Sequence, residues 1–247
     1  PLGWLKLHST VGRAYSSPEA KQLAGSTTTV LYDTSWNPYT AIYKSNPNLR
    51  PEISVTWDAG LALVSNAHGL RADLTYFSTA ITDKTQQVLL DTVTHIYSYQ
   101  NLSGTTEIRG IEGELSQDFG ALFHWGRQVR LFGNFTTILK AKQLDSTSTQ
   151  AIDILNIADQ KVQTGADYDD GRFNARVAAR YRGTVLDNYV VYVYPPLWVW
   201  DLSLAFSLTP AQTLSLQVAN LADIAYYEKA GYPMPGRNYT LRSTWRF

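Results

Sequence analysis

Along most of the chain apolar and polar residues alternate one by one, and helical spacing is scarce. Successive side chains of a strand point to opposite faces, so a period of two predicts strands with one apolar and one polar face. Residues 172–182 show this most sharply. Phe173, Ala175, Val177, Ala179 and Tyr181 fall on one side, with Arg172, Asn174, Arg176, Arg180 and Arg182 on the other. In 197–208, Trp198, Trp200, Leu202, Leu204, Phe206 and Leu208 oppose Asp201, Ser203, Ala205 and Ser207. The last segment sets Tyr239, Leu241, Ser243, Trp245 and Phe247 against Asn238, Thr240, Arg242, Thr244 and Arg246. Residues 4–13, 52–65, 70–81, 105–119, 128–140, 161–168 and 212–221 read alike, which predicts about ten strands. Most run to roughly ten residues or more, longer than the usual five or six and suited to a tilted crossing of a bilayer.

The connections alternate as well. Short turns at 66–69, 120–126, 169–171 and 209–211 separate long polar segments at 14–51, 82–104, 141–160, 184–196 and 222–236. Outer-membrane barrels combine short periplasmic turns with longer extracellular loops. A soluble antiparallel sandwich or closed barrel also alternates along its strands and stands as the other reading, with the apolar face as core. Two features favour lipid over a soluble core: tyrosine- and tryptophan-rich loops, and the aromatics Trp57, Trp198, Trp200 and Trp245 near strand ends.

Composition narrows the function classes. The 21 basic and 21 acidic side chains balance, which gives no reason to expect nucleic acid as a partner. The absence of cysteine excludes disulfides and thiolate metal sites. The nearest approach to a membrane-spanning helix, residues 189–208, is interrupted by Pro195-Pro196 and carries Asp201. Pro1-Leu2-Gly3-Trp4 has no basic region followed by an apolar core. Either a secretory signal was removed or the chain is an internal piece of a longer protein.

Five motifs then resemble one family in that family's order. Arg13-Ala14-Tyr15-Ser16-Ser17-Pro18-Glu19 is a loosened form of its Phe-Arg-Ala-Pro region, and Asn46-Pro47-Asn48-Leu49-Arg50-Pro51-Glu52 matches its Asn-Pro-Asn-Leu segment. Gly110-Ile111-Glu112-Gly113-Glu114-Leu115 is similar to its Gly-Val-Glu strand, and Asn220-Leu221-Ala222-Asp223 stands where the family writes Asn-Leu-Phe-Asp. Pro235-Gly236-Arg237-Asn238-Tyr239 precedes a closing strand with a terminal aromatic. Together these resemble the TonB-dependent outer-membrane receptors. The resemblance implies an all-β, antiparallel transmembrane β-barrel of 22 strands around an N-terminal plug. The present chain would supply about the ten C-terminal strands, with no plug of its own and two unpaired sheet edges. It further implies the outer membrane of a Gram-negative bacterium, TonB acting through the missing plug, and the barrel assembly machinery reading the strand that ends at Phe247.

No residue set points to catalysis, and no cofactor is expected. Glu112 and Glu114 share a face at a spacing of two, which a paired-acid enzyme could use. The resemblance implies instead that Glu112, Glu114, Arg172, Arg176, Arg180, Arg182, Arg242 and Arg246 line the lumen and meet the plug. Arginine on the lipid side would cost roughly 2–4 kcal/mol at the midplane, which supports that facing. The ligand, a siderophore-like metal chelate or cobalamin, is expected on the outer loops. Tyr32, Trp36, Tyr39, Tyr43, Tyr192, Tyr194, Tyr227 and Tyr232 offer flat apolar contact together with hydroxyls, or serve as girdle anchors. The closing segment 230–239 is similar to cobalamin receptors, and siderophore receptors end alike. Haem is disfavoured: no histidine lies between Tyr15 and Asn46, and only His95, in a long loop, is placed to be a ligand. The histidine spacing offers no zinc site. The reading from another class is a self-contained ten-strand barrel serving as a surface hydrolase or adhesin.

Overall fold

The computed structural model describes residues 3–33, 35–143, 152–188, 192–229 and 232–246. Ten long strands form one antiparallel meander in chain order: β1 (Leu5–Ser16), β2 (Glu52–Ser65), β3 (Leu70–Thr82), β4 (Thr106–Asp118), β5 (Gln128–Gln143), β6 (Gln160–Asp169), β7 (Phe173–Arg182), β8 (Leu197–Thr209), β9 (Gln212–Ala219) and β10 (Asn238–Trp245). Each pairs with its neighbours in sequence, and β1 and β10 each have one partner among the described residues. All the short connections lie at one end of the sheet and all the long ones at the other, as the alternation of turn lengths predicts.

Residues directly opposite in neighbouring strands share a face, so register carries chemistry across the sheet. Arg176 faces Asp167, which faces Arg130, which faces Asp118. Glu114 lies between Asn134 and Asp73, and Glu112 between Thr136 and Thr75. These positions make one continuous polar face. The opposite face carries Leu61 beside Leu74, Val177 beside Leu202, and Leu216 beside Leu241. Aromatics gather toward its two ends: the Tyr181 ring lies tilted against Trp198 (5.0 Å) at the long-loop end, and Tyr168 against Phe173 (6.2 Å) at the turn end.

Nothing in the described chain covers the apolar face. Leu7 is 82% exposed, Leu115 56% and Trp200 42%, while the buried apolar side chains are few, among them Ala179, Val199 and Val218. A sandwich would bury these large residues against a second sheet. The soluble reading therefore fails on the one feature it requires, a packed centre.

Two details depart from the simple pattern. β5 continues past residue 140 because a bulge interrupts its pairing with β4, Arg109 facing Lys140 while Gly110 faces Ile138. The long loops also hold structure of their own. Strands Ser26–Tyr32, Pro38–Lys44, Ile96–Asn101 and Thr85–Asp91 form a separate four-stranded sheet, in which Pro38–Lys44 and Ile96–Asn101 run parallel. Their aliphatic residues come in adjacent pairs or runs, such as Val30-Leu31, Ala41-Ile42 and Val88-Leu89-Leu90, so no hydrophobic alternation announces them.

At the turn end Asp170 organises the β6–β7 hairpin. Its carboxylate accepts the N–H groups of Phe173 (2.8 Å) and Arg172 (3.0 Å) and the Tyr168 hydroxyl (3.1 Å). The Phe173 and Arg172 N–H groups hold this carboxyl below the ordinary aspartate value. A carboxyl whose folded pKa is depressed stabilises the turn above its unfolded pKa, and that contribution is lost as pH falls through the folded value. Amide exchange at Arg172 and Phe173 is thus expected to accelerate in Asp170→Ala at neutral pH, and in the parent chain only under acid conditions. Equal protection in both at neutral pH would contradict the assignment.

Candidate functional site

The polar face is a network with a defined centre. Asp167, its side chain only 11% exposed, accepts Arg130 through Nε (3.0 Å) and Nη2, and lies 3.6 Å from Arg176 Nε. Arg180 Nε pairs with Asp201 at 3.5 Å, and Asp201 also accepts the Asn220 N–H at 2.9 Å. On the same face, toward the β1 edge, His8 bonds Asp73 (2.9 Å), which also accepts the Thr75 hydroxyl (2.7 Å).

The eight charges singled out from sequence fall into distinct environments. Arg176 and Arg180 each pair with a carboxylate of the sheet, Asp167 being shared with Arg130. Glu112 accepts only the Thr136 hydroxyl at 3.4 Å, and no ion pair joins Glu112, Glu114, Arg242 or Arg246 among the described residues. Arg172 departs from the alternation. It lies in the turn before β7, with its guanidinium 4.9 Å from the centre of the Phe206 ring on the apolar side. Arg182 leaves the sheet and ties two long loops together: Nη1 donates to the Tyr227 carbonyl (2.8 Å), Nη2 to the Pro195 carbonyl (3.3 Å), and the Tyr194 ring is 5.6 Å away. Its Nε is buried and has no hydrogen-bond partner among the described residues. Lys161, Arg180 and Arg182 surround a cavity of about 490 Å³ at the long-loop end, completed by Asn134, Gln163 and Glu228.

Above this face the first two long loops join into a single body. Asn101 is the clamp. Its Oδ1 accepts the Arg50 N–H (2.8 Å), and its Nδ2 donates to the carbonyls of Asp83 (2.7 Å) and Arg50 (2.9 Å). Arg50 also pairs with Asp83, Asn46 Nδ2 donates to the Tyr99 carbonyl (2.9 Å), and Glu52 accepts the Thr85 N–H (2.8 Å). The segment 46–52 thus bolts one loop onto the other. Asn101→Ala removes three hydrogen bonds, each worth about 1 kcal/mol, and is expected to loosen the joint by about 2 kcal/mol. Faster exchange of the Arg50 amide and cleavage within 83–101 by limited proteolysis would report it.

The clamp holds an aromatic strip in place. Tyr39, Ala41 and Tyr43 share one face of Pro38–Lys44. Tyr43 stacks on Tyr97 (5.2 Å, 22°), and Tyr39 lies 4.3 Å from His95. Loss of water around Tyr39, then its contact with Tyr97, raises its hydroxyl pKa above the ordinary phenol value. Tyr32 and Trp36 form a separate pair at the hairpin tip (6.2 Å), where Asp33 accepts the N–H groups of Ser35 and Asn37. Tyr194 donates to Asp187 (2.9 Å), and Tyr227 and Tyr232 are exposed in the short pairing of Tyr227–Lys229 with Tyr232–Pro233. The side chain of Tyr192 and all of Phe247 lie outside the described residues. The structure therefore brings Tyr39 and Tyr43 together with His95 and Tyr97, and Tyr194 with Arg182, while Tyr32 and Trp36 stand apart.

The sequence pattern of TonB-dependent receptor-like β-barrels matches residues 1–221, nearly the whole chain. The chain belongs to this family. Among solved structures, the siderophore receptor PirA from Acinetobacter baumannii superposes with a TM-score of 0.74 at 18% identity, over 99% of this chain and 39% of that one. The ferric enterobactin receptor PfeA from Pseudomonas aeruginosa gives 0.74 at 18% identity, over 98% and 38%. The copper transporter OprC gives 0.72 at 19% identity, over 98% and 37%. At such identities the likeness establishes the fold, and the chain spans about two-fifths of each receptor. Its open ten-stranded sheet is accordingly part of a TonB-dependent receptor barrel.

Arg130, Asp167, Asp201, Lys161 and Asn101 were not singled out from sequence. Alternation alone puts Asp167 and Lys161 on the polar side of 161–168. Which charges meet depends on register, and a single sequence does not print register.

Proposed function

We propose that this chain is the C-terminal barrel wall of an outer-membrane import receptor for an anionic metal chelate. Its apolar face lies against lipid and its polar face lines the lumen. Further strands and a plug complete the barrel, TonB acts through that plug, and the barrel assembly machinery reads the closing strand. The observation that carries the choice of ligand is the cavity lined by Lys161, Arg180 and Arg182, at the same long-loop end of the sheet as the clamped tyrosine strip. Aromatic faces capture a rigid chelate at low entropy cost, and ammonium and guanidinium donors then favour negative charge. A siderophore-bound ferric ion has both properties. Cobalamin is the second reading, favoured by the Gly231-Tyr232-Pro233-Met234-Pro235-Gly236-Arg237 ending.

The test is a binding screen on the full-length receptor with a ferric catecholate chelate, cobalamin and haem side by side. The catecholate is expected to bind tightest. Lys161→Gln with Arg180→Gln is expected to weaken it about tenfold, the equivalent of about 1.4 kcal/mol, and to leave cobalamin unaffected. Cobalamin binding tightest, with no response to these substitutions, would replace the first reading by the second.

A further inference from the structure

On the apolar face, charge collects in a patch at the long-loop end of β4 and β5. Glu107 and Arg109 lie there by alternation with Ile111, Gly113 and Leu115. Lys140 and Lys142 join them through the bulge, pairing with Arg109 and Glu107. Were the strand regular through Leu139, alternation from Ile138 would turn both lysines to the polar face. Glu107 binds Lys140 and, at 3.3 Å, Arg109, so one carboxylate gathers two cations; Lys142 pairs with Asp153. Among the described residues, three cations against two carboxylates leave the patch net positive, with the cationic side chains 37–44% exposed.

Directly below, the same two strands and their neighbours β3 and β6 form a hollow of about 520 Å³ whose apolar walls include Leu74, Leu115, Leu131, Phe135 and Val162. Gly133 presents no side chain into it, and Gly113 makes room for the Phe135 ring in its wall. The Phe135 ring lies across Gly113, whereas a Cβ on Gly133 would meet nothing closer than 3.6 Å. Gly113 lies four residues from Arg109, about 13 Å along a strand. An acyl chain hanging from a phosphate at the patch spans that distance.

We propose that this seam is a specific site for one phosphate-bearing glycolipid of the outer leaflet, resting on the reading that the apolar face meets lipid. The phosphate takes donors from Arg109, Lys140 and Lys142, and an acyl chain fills the hollow beside Gly133. Guanidinium and ammonium groups together suit a dianionic phosphate better than a zwitterionic headgroup that carries its own cation. The glycine gap suits a flexible chain rather than a protein surface.

The full-length receptor, delipidated in detergent and mixed with diphosphorylated lipid A, dephosphorylated lipid A or phosphatidylethanolamine, would be weighed by native mass spectrometry. One diphosphorylated lipid A per receptor is expected to be retained, and neither control lipid. Arg109→Gln, Lys140→Gln and Lys142→Gln together are expected to lower retention at least fivefold. Gly133→Phe, which fills the hollow from an unstrained backbone, should do the same while leaving chelate binding intact. Unchanged retention in either variant, or equal retention of the control lipids, would overturn the site. A fluorophore on Leu115→Cys, read against brominated lipid, separates the two levels. Quenching without lipid A retention sinks the site alone, and absence of quenching sinks the facing beneath it.

Discussion

Leu204→Arg is expected to destabilise the full-length receptor in lipid vesicles by about 2–4 kcal/mol, and Ala205→Arg by far less. The two residues are neighbours near the middle of β8, so strand propensity, position and protein are shared and only the face differs. Leu204 lies between Ala175 and Leu216, all on the apolar side. An arginine there must hold its charge in hydrocarbon or bend toward the interface. Ala205 lies between Asn174 and Ser215 on the polar side, where a guanidinium finds hydrogen-bond partners and water. Denaturant unfolding of both variants in the same vesicles measures the difference. Equal costs would mean that the two faces do not differ in solvent.

Gly165→Val is expected to cost about 3 kcal/mol or more, enough to abolish the heat-modifiable folded band of the barrel on gels. Gly165 sits in β6 opposite Ala178 and Phe132. A Cβ built there would lie 2.3 Å from the Val177 carbonyl oxygen and 2.6 Å from the Phe132 ring. The ring could swing away, but the carbonyl belongs to the β6–β7 ladder and can yield only by breaking it. Gly133→Ala, next to Phe132 in β5 but on the other face and with its nearest contact at 3.6 Å, is the matched control and is expected to fold normally. Normal folding of Gly165→Val would contradict the packing described for β5–β7.

The strands themselves were legible because each has one solvent on one face and another on the other, and that difference writes a period of two into residues such as Val177–Arg180 and Leu202–Ala205. All ten follow from it, to within a few residues at their ends. The loop sheet was not legible. Ser26–Tyr32 and Thr85–Asp91 are the two outer strands of that sheet and mostly exposed, so their composition does not alternate, and Thr, Gln and Tyr read as polar connection. The bulge at Leu139 was invisible for a related reason: it corrects the facing of two lysines that strict alternation assigns to the other side. Individual charges on the polar face could be listed from sequence, but not matched. Arg176 and Arg180 proved to be paired with Asp167 and Asp201 through register, whereas Arg182 serves the loops through backbone carbonyls that carry no sequence signal.

The most direct measurement is a nitroxide scan of β8 in the full-length receptor reconstituted in vesicles, one spin label at a time from residue 198 to 207. Collision with oxygen, which concentrates in hydrocarbon, is expected to peak at Trp198, Trp200, Leu202, Leu204 and Phe206. Collision with a water-soluble nickel chelate, or occlusion by plug, is expected at Asp201, Ser203, Ala205 and Ser207. Flat accessibility along the strand, or oxygen maxima at the odd-numbered positions, would contradict a barrel wall with lipid on the tryptophan side and charge within.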